Sequence, residues 1–298
     1  LSKWKGYLDK GKAFTKEDFI KEMVDLNFRN SIFIDITASE DISSLYKQVL
    51  KESISVVTPN KIAATRSYEE YLNLKDLARR YRSQFLIETN VCAGLPILST
   101  LHDLVRSGDQ VLKVQAVLSG TLNFLFNEYD GTVPFYQVVQ KAKELGYTEP
   151  DPRLDLSGED VMRKLLILIR ESGYEMEMAD IQATLFLPDD CLDTADLNEF
   201  YEKVANQEAY FKAMYDKAQS NGTRLKFVAT YENGEGSVAL EEMPDDHPFY
   251  HLEGKDNVVL FYTQRYSEQP LVIKGAGAGA EVTASGIFAD VLRLTQAD

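Results

Sequence analysis

The segment from residue 146 to residue 164 carries the densest group of side chains that could do chemistry. Four of its carboxylates and its lysine are the candidates: Glu149, Asp151, Asp155, Asp160 and Lys164. Several carboxylates around one lysine suit a site for a cationic group such as an ammonium, because opposite charges stabilise each other at short range. The alternative is a solvated surface helix whose exposed ion pair contributes only about 0.3–0.5 kcal/mol.

The spacing of Asp160 and Lys164 indicates acid–base chemistry within this segment. The two residues lie four apart on a helix predicted over 158–172, so they share one face. Ser157 is predicted to cap this helix, with Asp160 completing a capping box. The same face continues into apolar residues, so we expect Lys164 at the edge of the core. Burial would lower the pKa of this lysine and nearby carboxylates would raise it.

A second candidate lysine, Lys61, ends the corner Thr58-Pro59-Asn60-Lys61. The corner follows a predicted strand over 54–57, and the carboxyl ends of strands line the ligand crevice in open α/β sheets. Thr37 ends the preceding strand and is expected on the same rim. The alternative is a solvated loop lysine.

A glycine-rich turn, Gly275-Ala276-Gly277-Ala278-Gly279, lies between a predicted strand over 271–273 and a predicted helix over 281–294. Glycines in such a turn allow a backbone to approach a pyrophosphate, and they also allow a helix to pack closely on a strand. Both interpretations stay open. No glycine-rich phosphate turn stands near the start of the sequence, so either the first domain does not bind a dinucleotide or the chain begins inside it.

Two kinds of architecture must position these residues. Strands alternate with helices up to about residue 90, which predicts a doubly wound α/β domain; the predicted elements are a helix over 16–26, strands over 31–37, 54–57 and 85–87, and helices over 44–52 and 68–81. Helices are then grouped before three successive strands, which predicts an α+β domain; these elements are helices over 96–107, 121–129, 134–145, 158–172 and 195–220, and strands over 111–118, 225–231, 237–242 and 258–265.

The composition limits the partners of the chain. It has 298 residues, enough for two domains, and its net charge is −15 with a pI near 4.8. This acidity argues against nucleic acid as the main partner, because phosphate backbones need a basic surface. No stretch reaches the roughly 18 apolar residues of a transmembrane helix, so no membrane partner is expected. Two cysteines and no histidine pair with metal-ligand spacing favour a reducing cytoplasm without disulfides.

Taken together, the motifs over residues 30–298 resemble homoserine dehydrogenase, and the similarity looks closest to the dehydrogenase part of bifunctional aspartokinase–homoserine dehydrogenases. The motifs are Thr58-Pro59-Asn60-Lys61, Ala93-Gly94-Leu95-Pro96, Leu118-Ser119-Gly120-Thr121, Gly146 to Arg153 with Asp155-Leu156 and Lys164, and Gly275 to Gly279 followed by Val282-Thr283-Ala284.

This resemblance implies interconversion of L-homoserine and L-aspartate 4-semialdehyde with NADP or NAD as cofactor. It implies an incomplete Rossmann-type domain over 1–90 and 271–298, with its first βα unit missing, and a substrate-binding and dimerisation domain over 91–270. A homodimer and a covalent fusion to an upstream aspartokinase are also implied as partners.

The resemblance assigns site roles to the matching positions. Lys164 corresponds to the proton-transfer lysine, and Lys61 to a lysine near substrate and nicotinamide. The implied substrate-binding residues are Glu149, Asp155, Asp160, Tyr147 and Thr121, with Glu149 on the substrate ammonium. The implied cofactor contacts are Thr37, Lys61 and Gly279. A monovalent cation such as sodium would lie at Glu88, Val91, Ala93 and Leu95.

Three positions depart from the family pattern: Ile62 replaces a second lysine, Cys92 a glycine and Leu154 an aspartate. Since the main pyrophosphate cradle is absent, we expect this polypeptide alone to bind NAD(P) poorly and to be inactive. Two other interpretations stay open: a non-catalytic dimerising or regulatory fragment, and an oxidoreductase acting on a different amino acid.

Overall fold

The first of two β-sheets in the structure is a short parallel sheet. The structure is a computed structural model that describes residues 6–7, 10–26 and 28–295. Three strands lie in the order β1-β2-β3; they are β1 (Ile32–Ile34), β2 (Ser55–Val57) and β3 (Phe85–Leu86). The accompanying helices are α1 (Lys16–Leu26), α2 (Glu40–Ser43), α3 (Tyr46–Lys51), α4 (Ile62–Thr65) and α5 (Tyr68–Arg80).

Burial explains why these short apolar segments form parallel strands. Val56 is fully buried and pairs with Phe33 on one side and with Phe85 on the other. A parallel sheet needs cover on its faces, and the helices between the strands provide it. The carboxyl ends of β1 and β2 therefore meet at one edge, and the predicted α/β architecture is confirmed.

The second sheet is larger and mixed. Its strands lie in the order β5-β7-β6-β4-β8-β9, and all pairs are antiparallel except β5 with β7. The strands are β4 (Val111–Val117), β5 (Gln182–Thr184), β6 (Arg224–Glu232), β7 (Glu235–Met243), β8 (Asn257–Thr263) and β9 (Leu271–Gly275). The helices are α6 (Ile97–Arg106), α7 (Gly120–Glu128), α8 (Phe135–Glu144), α9 (Pro152–Leu156), α10 (Glu159–Glu171), α11 (Asp189–Leu192), α12 (Leu197–Asn206), α13 (Glu208–Ser220) and α14 (Ala280–Thr295).

Helices cover one face of this sheet, as the grouping of elements predicts. Helices α7 and α10 pack on β6, and α10 also packs on β7. On the opposite face, Phe249 and Leu252 bury a smaller cluster that includes Val228 and Leu260. The alternating inward and outward positions of the strands produce these two clusters.

One part of the predicted domain division is corrected by the sheet topology. The return to the first domain was predicted at residue 271, but β9 pairs with β8 along Leu271–Gly275 and belongs to the six-stranded sheet. Helix α14 does return to the first domain, where it packs against β2 and the one-turn 3-10 helix Glu88–Asn90. An isolated three-residue apolar segment fits either sheet, so its sequence did not decide which one it joins.

Several short elements differ from the prediction for physical reasons. The helix predicted over 195–220 is two helices, because the backbone at Gln207 leaves helical geometry between them. The unpredicted elements α2, α4, α9, α11 and β5 have three to five residues each. Such elements are too short to show a periodic apolar pattern, so their sequences carried no signal.

The C-terminal end of α10 joins helices from both halves of the molecule through Glu171. This buried carboxylate lies 2.9 Å from the Tyr71 hydroxyl, 2.7 Å from Lys75 Nζ and 2.6 Å from His102 Nε2. Burial opposes its ionisation, but Lys75 and His102 hold the pKa of Glu171 at about 2. The group therefore stabilises the fold fully above its unfolded pKa and loses that contribution as the pH falls toward 2.

We expect Glu171→Gln to lower the free energy of unfolding at pH 7 by about 2–4 kcal/mol, because it removes a buried carboxylate from half-buried Lys75 and from the ring of His102. The difference from wild type should shrink between about pH 4.3 and pH 2, where wild-type Glu171 takes up its own proton. Urea unfolding over this pH range measures both effects. Glu199→Gln, at an exposed carboxylate, is the control. An equal cost at pH 3 and pH 7 would contradict the assignment.

Candidate active site

Two lysines from different halves of the molecule share the carboxylate of Asp160. Lys61 Nζ lies 3.2 Å from Asp160 Oδ1, and Lys164 Nζ lies 2.7 Å from Asp160 Oδ2. Lys164 also donates to the Leu118 carbonyl at 2.8 Å. The Lys164 side chain is 12% exposed and that of Asp160 is 47% exposed, so the carboxylate opens toward solvent while the lysine lies beneath it.

Three elements bring this lysine pair together. Lys61 is the N-cap residue of α4, directly after β2, while Asp160 and Lys164 occupy the first turns of α10. Helices α4 and α10 pack against each other. The predicted capping box is wrong, because the N-cap is Gly158 with a left-handed φ of 72°. Asp160 is therefore free of a capping role and can bind both lysines.

Burial and nearby charge have opposite effects on the pKa of Lys164, and the contacts with Asp160 show which effect is larger. Burial acts to lower the pKa of Lys164, but Asp160 outweighs it and holds that pKa above its usual value. Burial likewise opposes ionisation of Asp160, yet the two ammonium groups hold its pKa far below its usual range. Lys164 is thus a charged proton donor at neutral pH, suited to an oxygen that develops negative charge.

A buried polar network, which sequence reasoning missed, fixes the corner that carries Lys61. Asp35 accepts from the Tyr46 hydroxyl at 2.5 Å and from the Asn60 amide at 3.1 Å. Thr58 Oγ1 accepts from the backbone N–H of Asn60 at 2.9 Å. The available signal was a single aspartate, only 2% exposed, inside the apolar segment 32–36. A buried carboxylate needs such partners, and here they orient the end of β2.

The segment from Gly146 to Asp155, the acidic loop, is organised around Asp155. Its Oδ2 accepts from the Glu149 backbone N–H at 2.8 Å, and its Oδ1 lies 3.0 Å from Thr121 Oγ1. The Thr121 hydroxyl also lies 2.5 Å from the Tyr147 carbonyl oxygen. Burial raises the pKa of Asp155. Four of the five predicted substrate-binding residues thus form one hydrogen-bonded network between the acidic loop and α7.

Within this loop the carboxylates have different surroundings. The Glu149 side chain is exposed, whereas Asp151 forms an ion pair with Arg153 at 2.6 Å. Asp151 also caps α9, which explains why it does not face the lysine pair. The loop therefore presents Glu149 and Asp155, rather than all of its carboxylates, as possible partners for a cationic group.

Two of the predicted cofactor residues, Thr37 and Gly279, are exposed. Thr37 follows β1 and is exposed, so it shares the edge of the parallel sheet with Lys61. Gly279 directly precedes α14, has a φ of 124°, and has open space where a Cβ would lie. Gly277 is different, because a Cβ there would overlap the side-chain amide of Asn257. Close packing is therefore shown at Gly277, while the approach of a pyrophosphate to the open backbone at Gly279 stays a prediction.

The close packing of α14 gives a stability prediction at Gly286. Replacing a glycine inside a helix with alanine usually stabilises by about 1 kcal/mol. At Gly286 a Cβ would overlap the Ala93 carbonyl oxygen, which cannot move independently of its chain. We expect Gly286→Ala to destabilise by about 1–3 kcal/mol in denaturant titrations. Ser285→Ala, at an exposed position of the same helix, is the control, and a stabilised Gly286→Ala variant would contradict the packing.

The residues suggested for sodium fit a cation poorly. The Glu88 carboxylate accepts from the backbone N–H groups of Leu98 and Ser99 at 2.8 and 2.9 Å and pairs with Arg293 at 3.0 Å. It thereby holds the start of α6 and the end of α14. The chemistry below uses no cation at Glu88, Val91, Ala93 and Leu95.

Comparisons with known proteins identify the family. The model of the homoserine dehydrogenase family matches residues 96–292, and that of the homoserine dehydrogenase NAD-binding domain matches residues 7–88. The chain belongs to the homoserine dehydrogenase family.

Cys92 has a left-handed φ of 50°, a conformation in which the more usual glycine is unstrained.

Two relatives and one solved structure illustrate the extent of the similarity to homoserine dehydrogenases. The bifunctional aspartokinase/homoserine dehydrogenase 2 of Zea mays is 41% identical over 99% of this chain, which covers 32% of that protein. The homoserine dehydrogenase of Schizosaccharomyces pombe is 36% identical over 99% of this chain and is covered to 80%. A hyperthermophilic archaeal homoserine dehydrogenase, solved in complex with NADPH, has a TM-score of 0.72 and 25% identity, with 96% of this chain and 76% of that chain covered.

The homoserine dehydrogenase unit is much shorter than the bifunctional relatives. The chain spans about a third of the length of the bifunctional relatives that it matches. None of the helices in the described ranges is long and apolar enough to cross a bilayer.

Proposed function

We propose that this chain is the dehydrogenase part of a protein that interconverts L-homoserine and L-aspartate 4-semialdehyde with NADP or NAD. The observation that supports this most is the lysine pair on Asp160, beside the acidic loop, in a member of the homoserine dehydrogenase family. The reaction is assigned to the full-length protein, because the bifunctional relatives are about three times as long.

Lys164 performs the proton transfer. Its ammonium is oriented by the Leu118 carbonyl and by Asp160, which leaves its remaining N–H for the oxygen of the substrate. In the reductive direction the ammonium donates a proton to the developing alkoxide and becomes a neutral amine, and in the oxidative direction the neutral amine receives that proton from the hydroxyl. Lys61 adds a second positive charge beside the same carboxylate and stabilises the charge that develops on oxygen.

The acidic loop binds the substrate ammonium. Glu149 has an exposed side chain whose backbone is fixed by Asp155, so its carboxylate can swing to a cationic ligand while its position in the chain is held. Thr121 and Tyr147 complete the support of the loop. An ammonium held here would place the other end of a four-carbon amino acid toward Lys164.

The parallel sheet fits the nicotinamide end of a dinucleotide. When bound, the nicotinamide accepts or donates the hydride. Thr37, Lys61 and Gly279 are the residues that would hold the cofactor, since the first two follow the carboxyl ends of β1 and β2 and Gly279 exposes its backbone. The description of the archaeal relative as an NADPH complex supports this assignment.

The assembly and location of the protein follow from its relatives and its cysteines. We infer that the protein forms a homodimer through the unit over 91–270 and carries an aspartokinase upstream, as the names of the bifunctional relatives suggest. Its two buried free cysteines suit a reducing compartment such as the cytoplasm.

The test uses the full-length protein, NADPH and aspartate semialdehyde, with NADPH oxidation followed by its absorbance. We expect turnover that is lost when the substrate lacks its amino group, because a site built for an ammonium rejects analogues without it. Equal rates with the deaminated analogue would contradict the role of the acidic loop. No turnover by a folded full-length protein that binds NADPH would instead favour a regulatory fragment.

A further inference from the structure

We propose that Arg170 is a positioning residue that sets the place of Lys61 in the active site. This inference rests on the proposed function, in which Lys61 assists the reaction. Arg170 lies near the end of α10, and its side chain is fully buried. A buried guanidinium is expensive to desolvate, so its partners indicate what it stabilises.

The first set of contacts holds the helix that follows Lys61. Arg170 Nη1 donates to the carbonyl oxygens of Ala64 at 2.9 Å and Arg66 at 2.7 Å. Helix α4 is a single turn that begins directly after Lys61. The Thr65 backbone N–H and hydroxyl donate back to the Lys61 carbonyl at 3.1 and 3.0 Å. Any movement of Ala64 therefore moves Lys61.

The second set of contacts holds the residues that follow α4. Arg170 Nη2 donates to the Met176 carbonyl at 2.9 Å and to Glu177 Oε2 at 2.9 Å. Glu177 Oε1 accepts from the Tyr68 backbone N–H at 2.7 Å, at the start of α5. The guanidinium also lies 5.6 Å from the Tyr68 ring centre. Arg170 and Glu177 together clamp the connection between α4 and α5.

Both ends of α10 contact the segment that carries Lys61. This helix therefore fixes how Lys61 and Lys164 are placed around Asp160. Its first turns supply Asp160 and Lys164, and its last turn supplies Arg170. The distance from Lys61 to Asp160 is then fixed by one rigid helix and one short turn. Apolar residues could pack α10 against this segment equally well. An arginine guanidinium, by contrast, has several N–H groups in a fixed plane and binds two carbonyl oxygens at once.

The test compares Arg170→Met, Arg170→Lys and wild type by the rate at which an amine-acetylating reagent labels Lys61, read by mass spectrometry. Ion pairing with Asp160 slows labelling of Lys61. We expect labelling about 5–10-fold faster in Arg170→Met. Arg170→Lys should give an intermediate rate, because lysine keeps the positive charge but cannot bind two carbonyl oxygens with a planar guanidinium. In the full-length protein we expect kcat to fall about 10–100-fold with a small change in KM.

The matched control is Glu171→Gln, the neighbouring residue of α10, which holds α5 and α6 but not α4. Its Lys61 labelling should equal that of wild type despite its lower stability. Unchanged labelling in both Arg170 variants, or an equal increase in Glu171→Gln, would overturn the proposal. The labelling does not depend on turnover, so it separates failure of this inference from failure of the proposed dehydrogenase reaction.

Discussion

Replacing Lys164 with methionine is expected to lower kcat for both directions of the reaction in the full-length protein by about 10²–10⁴-fold. The Lys164 side chain is 12% exposed and its ammonium is oriented by Leu118 and Asp160, so its loss leaves the substrate oxygen without its positioned proton donor. Methionine has a similar length and no proton to transfer. Steady-state kinetics with NADPH and aspartate semialdehyde measure the effect.

The control for Lys164→Met is Arg163→Met at the neighbouring position of α10. Arg163 pairs with Glu159 on the more exposed face of the helix and contacts no residue of the lysine pair. Its kcat should stay within about twofold of wild type, since surface ion pairs contribute little. A Lys164→Met protein that stays folded and keeps more than a tenth of the wild-type kcat would contradict the proton-transfer role.

Replacing Asp160 with asparagine is expected to lower the pKa of Lys164, because burial then acts on that ammonium without its main counter-charge. In the reductive direction the rate falls at pH values where Lys164 loses its proton. The alkaline limb of the pH–rate profile should therefore move to lower pH, and kcat at neutral pH should fall about 10–100-fold. Rates measured from pH 6 to pH 10 show the shift.

The same substitution removes two pH-dependent contributions to stability. Wild-type Lys164 has a raised pKa, so it stabilises fully below its unfolded pKa and loses this as the pH rises through the folded value. Asp160 has a lowered pKa, so it stabilises above its unfolded pKa and loses this as the pH falls through the folded value. Because Asp160 is half exposed, we expect a cost of only about 1–2 kcal/mol at pH 7.

Glu159→Gln is the control for Asp160→Asn, since Glu159 is the adjacent carboxylate in the first turn of α10 and pairs with Arg163. It should leave the alkaline limb where it is. If Asp160→Asn also leaves that limb unmoved, Lys164 is not the titrating group and the assignment of the proton donor is wrong.

The family and its motifs were accessible from the sequence, and so were most elements longer than one or two turns. Helix α1 was predicted with its observed bounds, since Thr15 accepts from the Asp18 backbone N–H and begins the helix as a side-chain cap should. The Asp160–Lys164 pair was equally accessible, because residues four apart on a helix must be neighbours. Local geometry alone decides such features.

Only the tertiary structure decided that Lys61 joins this pair, that Asp35 supports the Lys61 corner, and that β9 belongs to the second sheet. Each of these depends on which surfaces of distant elements come together. Apolar periodicity reports that a face is buried but not against what, and a lone buried polar residue does not name its partner. The direction of the pKa of Lys164 was open for the same reason, since it depends on how closely the carboxylate and the protein interior approach one ammonium group.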